Sequence, residues 1–286
     1  MKIYTMLSKS HQFLYDEFFE KSIKQYEPEA EIILGKQDQI CKSGNYYEDG
    51  WKESMRQKVE IYSEAINSGD NMFIWSDVDI EFYEPFIQQC IKELGDFDIA
   101  FQEGVGNEYC AGFFIAKIND RTKKFFNILK NKYENYSCDQ DAINKNIQLV
   151  KAKFLSRKFL NVSFQHRHWD GQEILIKEPI SMFHANYTVG LQKKIMLLKS
   201  VKNHNERLKK QIANNPNIQI LEAYYGRLED ITQEIIQNKN TELRVNTETL
   251  KCDPAPGVVK YLYLFDNKDQ LLNQAIKEGD FIQFND

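Results

Sequence analysis

Two aspartates one residue apart, Asp77 and Asp79, follow directly on a short apolar run, Met72-Phe73-Ile74-Trp75. Alternate side chains of an extended segment point the same way, so both carboxylates can approach one hard cation. Such a cation takes oxygen ligands and is commonly shared with substrate phosphates. The same three residues also read as an ordinary polar loop after a buried strand. Gly112, inside the strand-like Cys110-Ala111-Gly112-Phe113-Phe114, either lets a ligand approach the backbone closely or marks a bulge. Asp139-Gln140-Asp141 opens a helix, where acidic residues are favoured and where Ser137 and Gln140 have capping-box spacing. Phe164 to Gly171 reads as a tight hairpin ending at Asp170-Gly171. The alternative there is a His166-x-His168 metal pair, with the Trp169 ring offering a face on which the apolar side of a sugar could stack.

The elements that must position these residues alternate between strand and helix. A strand at Ile3 to Leu7 precedes a helix from about Gln12 to Gln25, with Leu14/Phe18 and Phe19/Ile23 four apart. A strand at Glu31 to Leu34 is followed by a helix carrying Met55, Val59, Tyr62 and Ile66 at helical spacing. The strand ending at the D-x-D comes next. Repeated units of this kind predict a mostly parallel sheet covered by helices on both faces, with ligands beyond the carboxyl ends of the strands. Near Asn214-Asn215-Pro216 the character changes to alternating segments separated by turn-rich pieces. Three parts are predicted: a core domain over 1–200, a helical linker over 201–216, and a small antiparallel β-sandwich-like domain over 217–286.

Bulk properties narrow the function classes. The 286 residues are 42% hydrophobic and 13% aromatic, ample for a packed core. A formal charge of −5 gives no general attraction to a phosphate backbone, which argues against nucleic acid as a partner. The five cysteines are scattered, odd in number and without C-x-x-C spacing, which fits reduced thiols rather than a disulfide framework or a zinc site. The chain shows no signal-peptide pattern and no apolar run of about 20 residues, so a cytoplasmic setting is expected.

Residues 1–200 resemble GT-A fold glycosyltransferases, nearest to the nucleotide-diphospho-sugar transferases that include plant xylosyl-, arabinosyl- and galactosyltransferases. The matching pieces are Asp77-Val78-Asp79 followed by Glu84-Pro85, the segment Asn107 to Lys117, the segment Cys138 to Ile147, and Phe183-His184-Ala185-Asn186, in the family's order. The resemblance implies an α/β class with a Rossmann-like mixed sheet. It implies that Asp79 binds Mn²⁺ or Mg²⁺ directly, that Asp77 contacts the ribose or the metal, and that His184 completes the coordination. An imidazole beside two carboxylates suits Mn²⁺. It further implies that Asp139 and Gln140 face the donor sugar, that Thr5 and either Arg56 or Lys58 lie near the nucleotide, and that Lys193 or Lys194 neutralises the departing diphosphate.

The resulting expectation is a hexosyl- or pentosyltransferase. It would move a sugar from a UDP-sugar or another nucleoside diphosphate sugar to an acceptor hydroxyl on a glycan, glycolipid or protein, with retention of configuration. The alternatives are a D-x-D phosphohydrolase with Asp77 as nucleophile, or a non-catalytic glycan-binding protein on the same scaffold. The C-terminal 70 or so residues, through Ala223 to Thr232 and Cys252 to Leu264, resemble a β-module at the C-terminus of certain J-domain co-chaperone-like proteins. That resemblance implies a binding or bracing role.

Overall fold

The computed structural model describes residues 1–36, 39–42, 44–46, 48–172, 174–176 and 178–214, and beyond these a set of strands between 220 and 282. The chain divides into two compact units, one formed by Met1–Gly171 with Ile180–Lys202, the other by Gln172–Pro179 with Asn203–Asp286.

In the first unit, β1 (Lys2–Leu7) leads through the helical turns Gln12–Leu14 and Tyr15–Phe19 into α1 (Glu20–Tyr26). There follow β2 (Glu31–Lys36), α2 (Trp51–Ile66), β3 (Met72–Ser76), β4 (Ile80–Phe82), α3 (Ile87–Leu94), β5 (Ile99–Glu103), β6 (Tyr109–Lys117), α4 (Asp120–Asn131) and α5 (Asp139–Asn146). The unit continues with β7 (Ala152–Phe154), β8 (Phe159–Asn161), β9 (Met182–His184) and the start of α6 (Leu191–Asn214). Six strands form one sheet in the order β2-β1-β3-β6-β5-β7. β6 runs antiparallel to both neighbours, whereas β1 pairs in parallel with β2 and β3, and β5 with β7, so the sheet is mixed.

The two faces of this sheet can be read directly from strand alternation. Ile3, Ile74, Ala100, Phe113 and Ile115 join one apolar cluster, which also takes Phe19, Ile23, Ile87, Cys90 and Leu94 from α1, α3 and the turn before α1. Their neighbours Tyr4, Phe73, Trp75, Phe101 and Phe114 join a second, with residues of α2, α4 and α5. Helices therefore cover both faces, and each strand contributes to both cores because its side chains alternate with period two.

Two local details differ from the sequence expectation. The α5 N-cap is Cys138, whose sulfur accepts from Asp141 N at 3.4 Å, while the Asp141 carboxylate accepts from Ser137 N at 3.0 Å. The helix thus starts one residue later than the Ser137/Gln140 spacing implied, and Gln140 is left for other work. Between Phe164 and Gly171 there is no hairpin: a short 3₁₀ turn at Val162–Phe164, capped by Asn161, passes into irregular chain.

In the second unit the described strands pair antiparallel. β10 (Ile220–Tyr225) lies between β11 (Glu229–Asp230) and β13 (Tyr261–Asp266), and β13 also pairs β14 (Ile276–Lys277). β12 (Leu243–Arg244) pairs β15 (Phe281–Ile282). α6 is one helix of 24 residues, Leu191–Asn214. The 201–216 segment is therefore largely the second half of a helix that begins in the first unit.

Candidate active site

The chain leaves β3 at Ser76 and passes through Asp77-Val78-Asp79 into β4. The pairing of β3 with β6 is extended by one bond, Asp77 N donating to Gly112 O at 2.8 Å. Val78 is buried in the first apolar cluster, and this turns the two flanking carboxylates to the opposite side. β4 pairs antiparallel with β9 so that Ile80 lies opposite His184, and Ala185 N donates to Asp79 O at 2.9 Å. A two-strand register thus carries a histidine more than a hundred positions away to the D-x-D. One ligand atom each of Asp77, Asp79 and His184 lie within 4.8 Å of one another, with His184 Nε2 3.3 Å from Asp79 Oδ1 and 3.9 Å from Asp77 Oδ2.

Gly112 makes room for this cluster. A Cβ there would sit 2.1 Å from His184 Cε1 and 2.9 Å from Asp77 Oδ2. Gly112 also falls in the irregularity where β5–β6 pairing jumps from Phe101↔Phe114 to Gln102↔Cys110. The bulge reading of the glycine therefore holds, and the groups that approach it closely are the protein's own His184 and Asp77.

Charge is balanced by two lysines. Lys58 Nζ, buried on α2, lies 2.8 Å from Asp77 Oδ1 and 2.9 Å from Asp139 Oδ2, and 5.4 Å from the centre of the Trp75 ring. Burial alone would lower the pKa of Lys58, but the carboxylates of Asp139 and Asp77 outweigh it and hold the ammonium well above its usual range. Asp77 is raised, burial winning over the pull of Lys58, while Trp75 Nε1 donates to its Oδ1 at 3.0 Å. Asp79 contacts Lys194, which also donates to Ala185 O at 2.9 Å. Its carboxyl lies well below the usual range: burial raises it, but the cations Lys194 and His184 prevail. His184 is pushed up to about 10, the desolvation that lowers it being overcome by Asp79.

Three carboxylates against two lysines leave one negative charge, which a protonated imidazole cancels. A divalent cation replacing that proton would leave a positive site, the sign that suits a diphosphate. Two carboxylates and an imidazole converging on one point are a donor set that fits Mn²⁺ or Mg²⁺.

The cluster forms part of the wall of a cavity of about 770 Å³, within the size range of small-molecule sites. Asp77, Asp79, Gly112, Asp139, Gln140 and His184 all line it. Gln140 Nε2 donates to Glu108 Oε2 at 3.1 Å and faces the Tyr187 hydroxyl at 3.4 Å. Thr5, Arg56 and Lys193 are not among the lining residues. Thr5 is buried in β1 opposite Leu34, and it is the next residues, Met6 and Ser8, that reach the cavity. Arg56 pairs with Glu53 at 3.0 Å and with Glu134, whereas Lys58, two positions on and hence on the opposite side of the helix, points inward. Lys193 pairs with the exposed Asp170, whereas Lys194 reaches Asp79. Of each basic pair left open by the sequence, the structure brings Lys58 and Lys194 to the cluster.

Arg167 and His168 line the cavity, but Trp169 is buried, its backbone N–H donating to Tyr187 O at 2.9 Å, so its ring is not available to stack on a sugar. Gln102, Trp75 and His11 were not singled out in the sequence. Burial lowers His11 to about 4, so it lines the cavity as a neutral imidazole. None of the three sits in a distinctive local pattern.

The sequence model of the nucleotide-diphospho-sugar transferase family matches residues 13–198. Among solved structures, the chain is similar to the galactosyltransferase LgtC in complex with donor and acceptor sugar analogs, at 13% identity over 65% of this chain and 87% of that one, with a TM-score of 0.42. It is similar to the glycosyltransferase GlyE of Streptococcus pneumoniae TIGR4 at 14% identity, over 74% of this chain and 64% of that one, TM-score 0.46. A third is a glycosyltransferase involved in glycosylation of the major capsid of PBCV-1, at 11% identity over 68% and 97% of the two chains, TM-score 0.46. No curated protein matches. The likeness of the C-terminal segment to co-chaperone-like β-modules finds no support in these comparisons.

Proposed function

Because the chain belongs to the nucleotide-diphospho-sugar transferase family, we propose that it moves a hexosyl or pentosyl group from a UDP-sugar to an acceptor hydroxyl, with a divalent cation held by Asp77, Asp79 and His184. The observation that carries this reading is the convergence of those three side chains within 4.8 Å at the carboxyl end of a central strand. Bound there, Mn²⁺ or Mg²⁺ supplies neutralisation of the negative charge that grows on the departing diphosphate. Lys194, fixed on Asp79 and Ala185 O, adds a cation to the same wall of the cavity, which supports its assignment to the leaving group ahead of Lys193.

Asp139 and Gln140 face the donor sugar in this reading. Asp139 is held by Lys58 and by the Tyr62 hydroxyl at 3.4 Å, leaving it placed to accept a sugar hydroxyl but not to act as a free base. Asp77 and Asp79 are likewise engaged by lysines. With all three carboxylates of the cluster engaged, the acceptor proton is best taken by the departing phosphate on the same face of the sugar, which supports a retaining outcome. The four described cysteines are unpaired, which supports a reducing, cytoplasmic setting. Among the described residues no helix is long and apolar enough to cross a membrane. The acceptor, whether glycan, glycolipid or protein, is left to experiment.

The test is Mn²⁺-dependent release of nucleoside diphosphate from a panel of UDP- and GDP-sugars. Release from one UDP-sugar, falling by about 100-fold or more in Asp79→Ala and His184→Ala, is the expected result. Absence of nucleotide binding by calorimetry with every donor would sink the reading.

A further inference from the structure

His184 has two ring nitrogens, and only one faces the carboxylates. Its Nδ1 lies 2.9 Å from Gln102 Oε1, on the far side of the ring from Asp77 and Asp79. Gln102 is fully buried on β5. An amide can be built either way round from side-chain shape alone, so its orientation must come from its hydrogen bonds. Here they decide it: Nε2 lies 3.0 Å from Phe159 O and 3.0 Å from Leu160 O. Two carbonyl oxygens consume both hydrogens of the NH₂ group, and the reversed amide would set an oxygen against two oxygens. Oε1 is therefore the atom that meets His184. Since it can only accept, Nδ1 carries a proton that it keeps, and Nε2, which faces Asp79 and Asp77, is the nitrogen whose proton a cation can replace.

We propose that Gln102 is a positioning residue that fixes His184 as the Nδ1–H form and so presents Nε2 for cation binding. The backbone around it is arranged to hold that amide still. β8 is an edge strand, paired with β9 in parallel so that Leu160 lies beside Phe183 and Asn161 beside His184. The consecutive carbonyls of Phe159 and Leu160 on this edge strand both accept from the one amide. Gln102 sits where β5 loses regular register with β6, which frees its side chain to cross to β8 and β9. Asn161 Nδ2 donates to Glu103 O at 2.8 Å, tying β8 to β5 a second time. One amide thus joins three strands, and its remaining atom sets the histidine. Metal-bound histidines depend on a partner of this kind to fix tautomer and ring orientation. The dependence is on this protein's own geometry, and it rests on the reading of Asp77, Asp79 and His184 as a cation site.

The experiment uses the full chain with ¹⁵N-labelled histidine, loaded with ¹¹³Cd²⁺, together with Mn²⁺ titrations of wild type, Gln102→Leu and Gln102→Met. Expected for the wild type is ¹¹³Cd coupling to Nε2 of His184 and a protected proton on Nδ1. Expected for the variants is Mn²⁺ binding weaker by about 10- to 100-fold, with the double variant Gln102→Met/His184→Ala no weaker than His184→Ala alone. That non-additivity is what a purely structural glutamine would not give. Coupling to Nδ1 in the wild type, or unchanged Mn²⁺ affinity in a folded Gln102 variant, overturns the inference and leaves the cation site standing. Failure of the wild type to bind either ion overturns both. The wild-type spectrum decides the tautomer even where neither variant folds.

Discussion

At Gly112 one hydrogen in place of a side chain decides whether His184 and Asp77 can occupy their positions. An alanine methyl would overlap the imidazole at 2.1 Å, so the ring would have to shift, and a shift would disturb the Nδ1 contact with Gln102 at 2.9 Å that orients it. Gly112→Ala is expected to remain folded yet lose about 100-fold in Mn²⁺ affinity and donor turnover, as a ligand displaced by an ångström does. Calorimetry with Mn²⁺ would show it, and wild-type affinity in the variant would mean that the imidazole is not a ligand. Lys58 is the second sensitive position, since it is the buried ammonium shared by the half-buried Asp77 and the buried Asp139 carboxylates. Lys58→Met should destabilise the protein by about 3–5 kcal/mol, the cost of leaving buried charge uncompensated. Urea unfolding measures it, and a change below about 1 kcal/mol would show that Asp77 and Asp139 find other partners or water. Asp77, Asp79 and Gly112 were legible in the sequence because a strand forces alternate side chains to one side and a glycine inside a strand needs a reason. Gln102 was not legible, because nothing in Ala100-Phe101-Gln102-Glu103 says which strands will cross it.

Elements here are tied at their ends by side chains that reach between them, and Asp98, just before β5, is the densest such tie. It accepts from Arg121 Nε and Nη2 at 2.7 Å each, from Asn119 Nδ2 at 2.9 Å and from Lys151 N at 2.8 Å, joining the start of β5 to the N-terminus of α4 and the entry to β7. The Arg121 guanidinium holds its carboxyl well below the usual carboxylate range, the cost of burial being outweighed. A depressed pKa means stability that is fully present above the unfolded value of about 3.9 and lost as pH falls towards the folded value. Asp98→Asn is therefore expected to cost about 2–3 kcal/mol at neutral pH, discounted for the exposure of Arg121. The difference from wild type should shrink below about pH 4. Denaturation at pH 7 and pH 3 tests this, and a gap that does not narrow would assign the effect to shape rather than charge. The elements themselves followed their periodicity closely: the Met55/Val59/Tyr62/Ile66 spacing became Trp51–Ile66, and the apolar run before the D-x-D became Met72–Ser76. The misread pieces were short. The α5 cap moved to Cys138 because a thiol can also accept from a helix N–H, and the Phe164–Gly171 hairpin failed because Asn161 caps a 3₁₀ turn there instead.

At the scale of the whole molecule, every residue that lines the cavity lies between Met6 and Lys194, and all of them belong to the first compact unit. The match to the family ends at residue 198. In the sequence, turn-rich composition and period-two alternation begin together near residue 215, but no set of residue types in that stretch points to a ligand. The division of labour proposed from this is that cation and nucleotide binding reside in the first 200 residues, and that the segment after α6 serves the acceptor or its carrier. A chain ended after Asn214, where α6 stops, should then bind UDP with Mn²⁺ as the full chain does and hydrolyse its donor at the same slow rate, while transfer to the physiological acceptor falls. Calorimetry and nucleoside diphosphate release measure the first two, and product formation on a glycan or lipid acceptor measures the third. A folded truncation that no longer binds UDP would refute the division, because it would mean that the nucleotide needs residues beyond those that line the cavity. Retention of both binding and full transfer would assign the second unit to a task other than acceptor delivery.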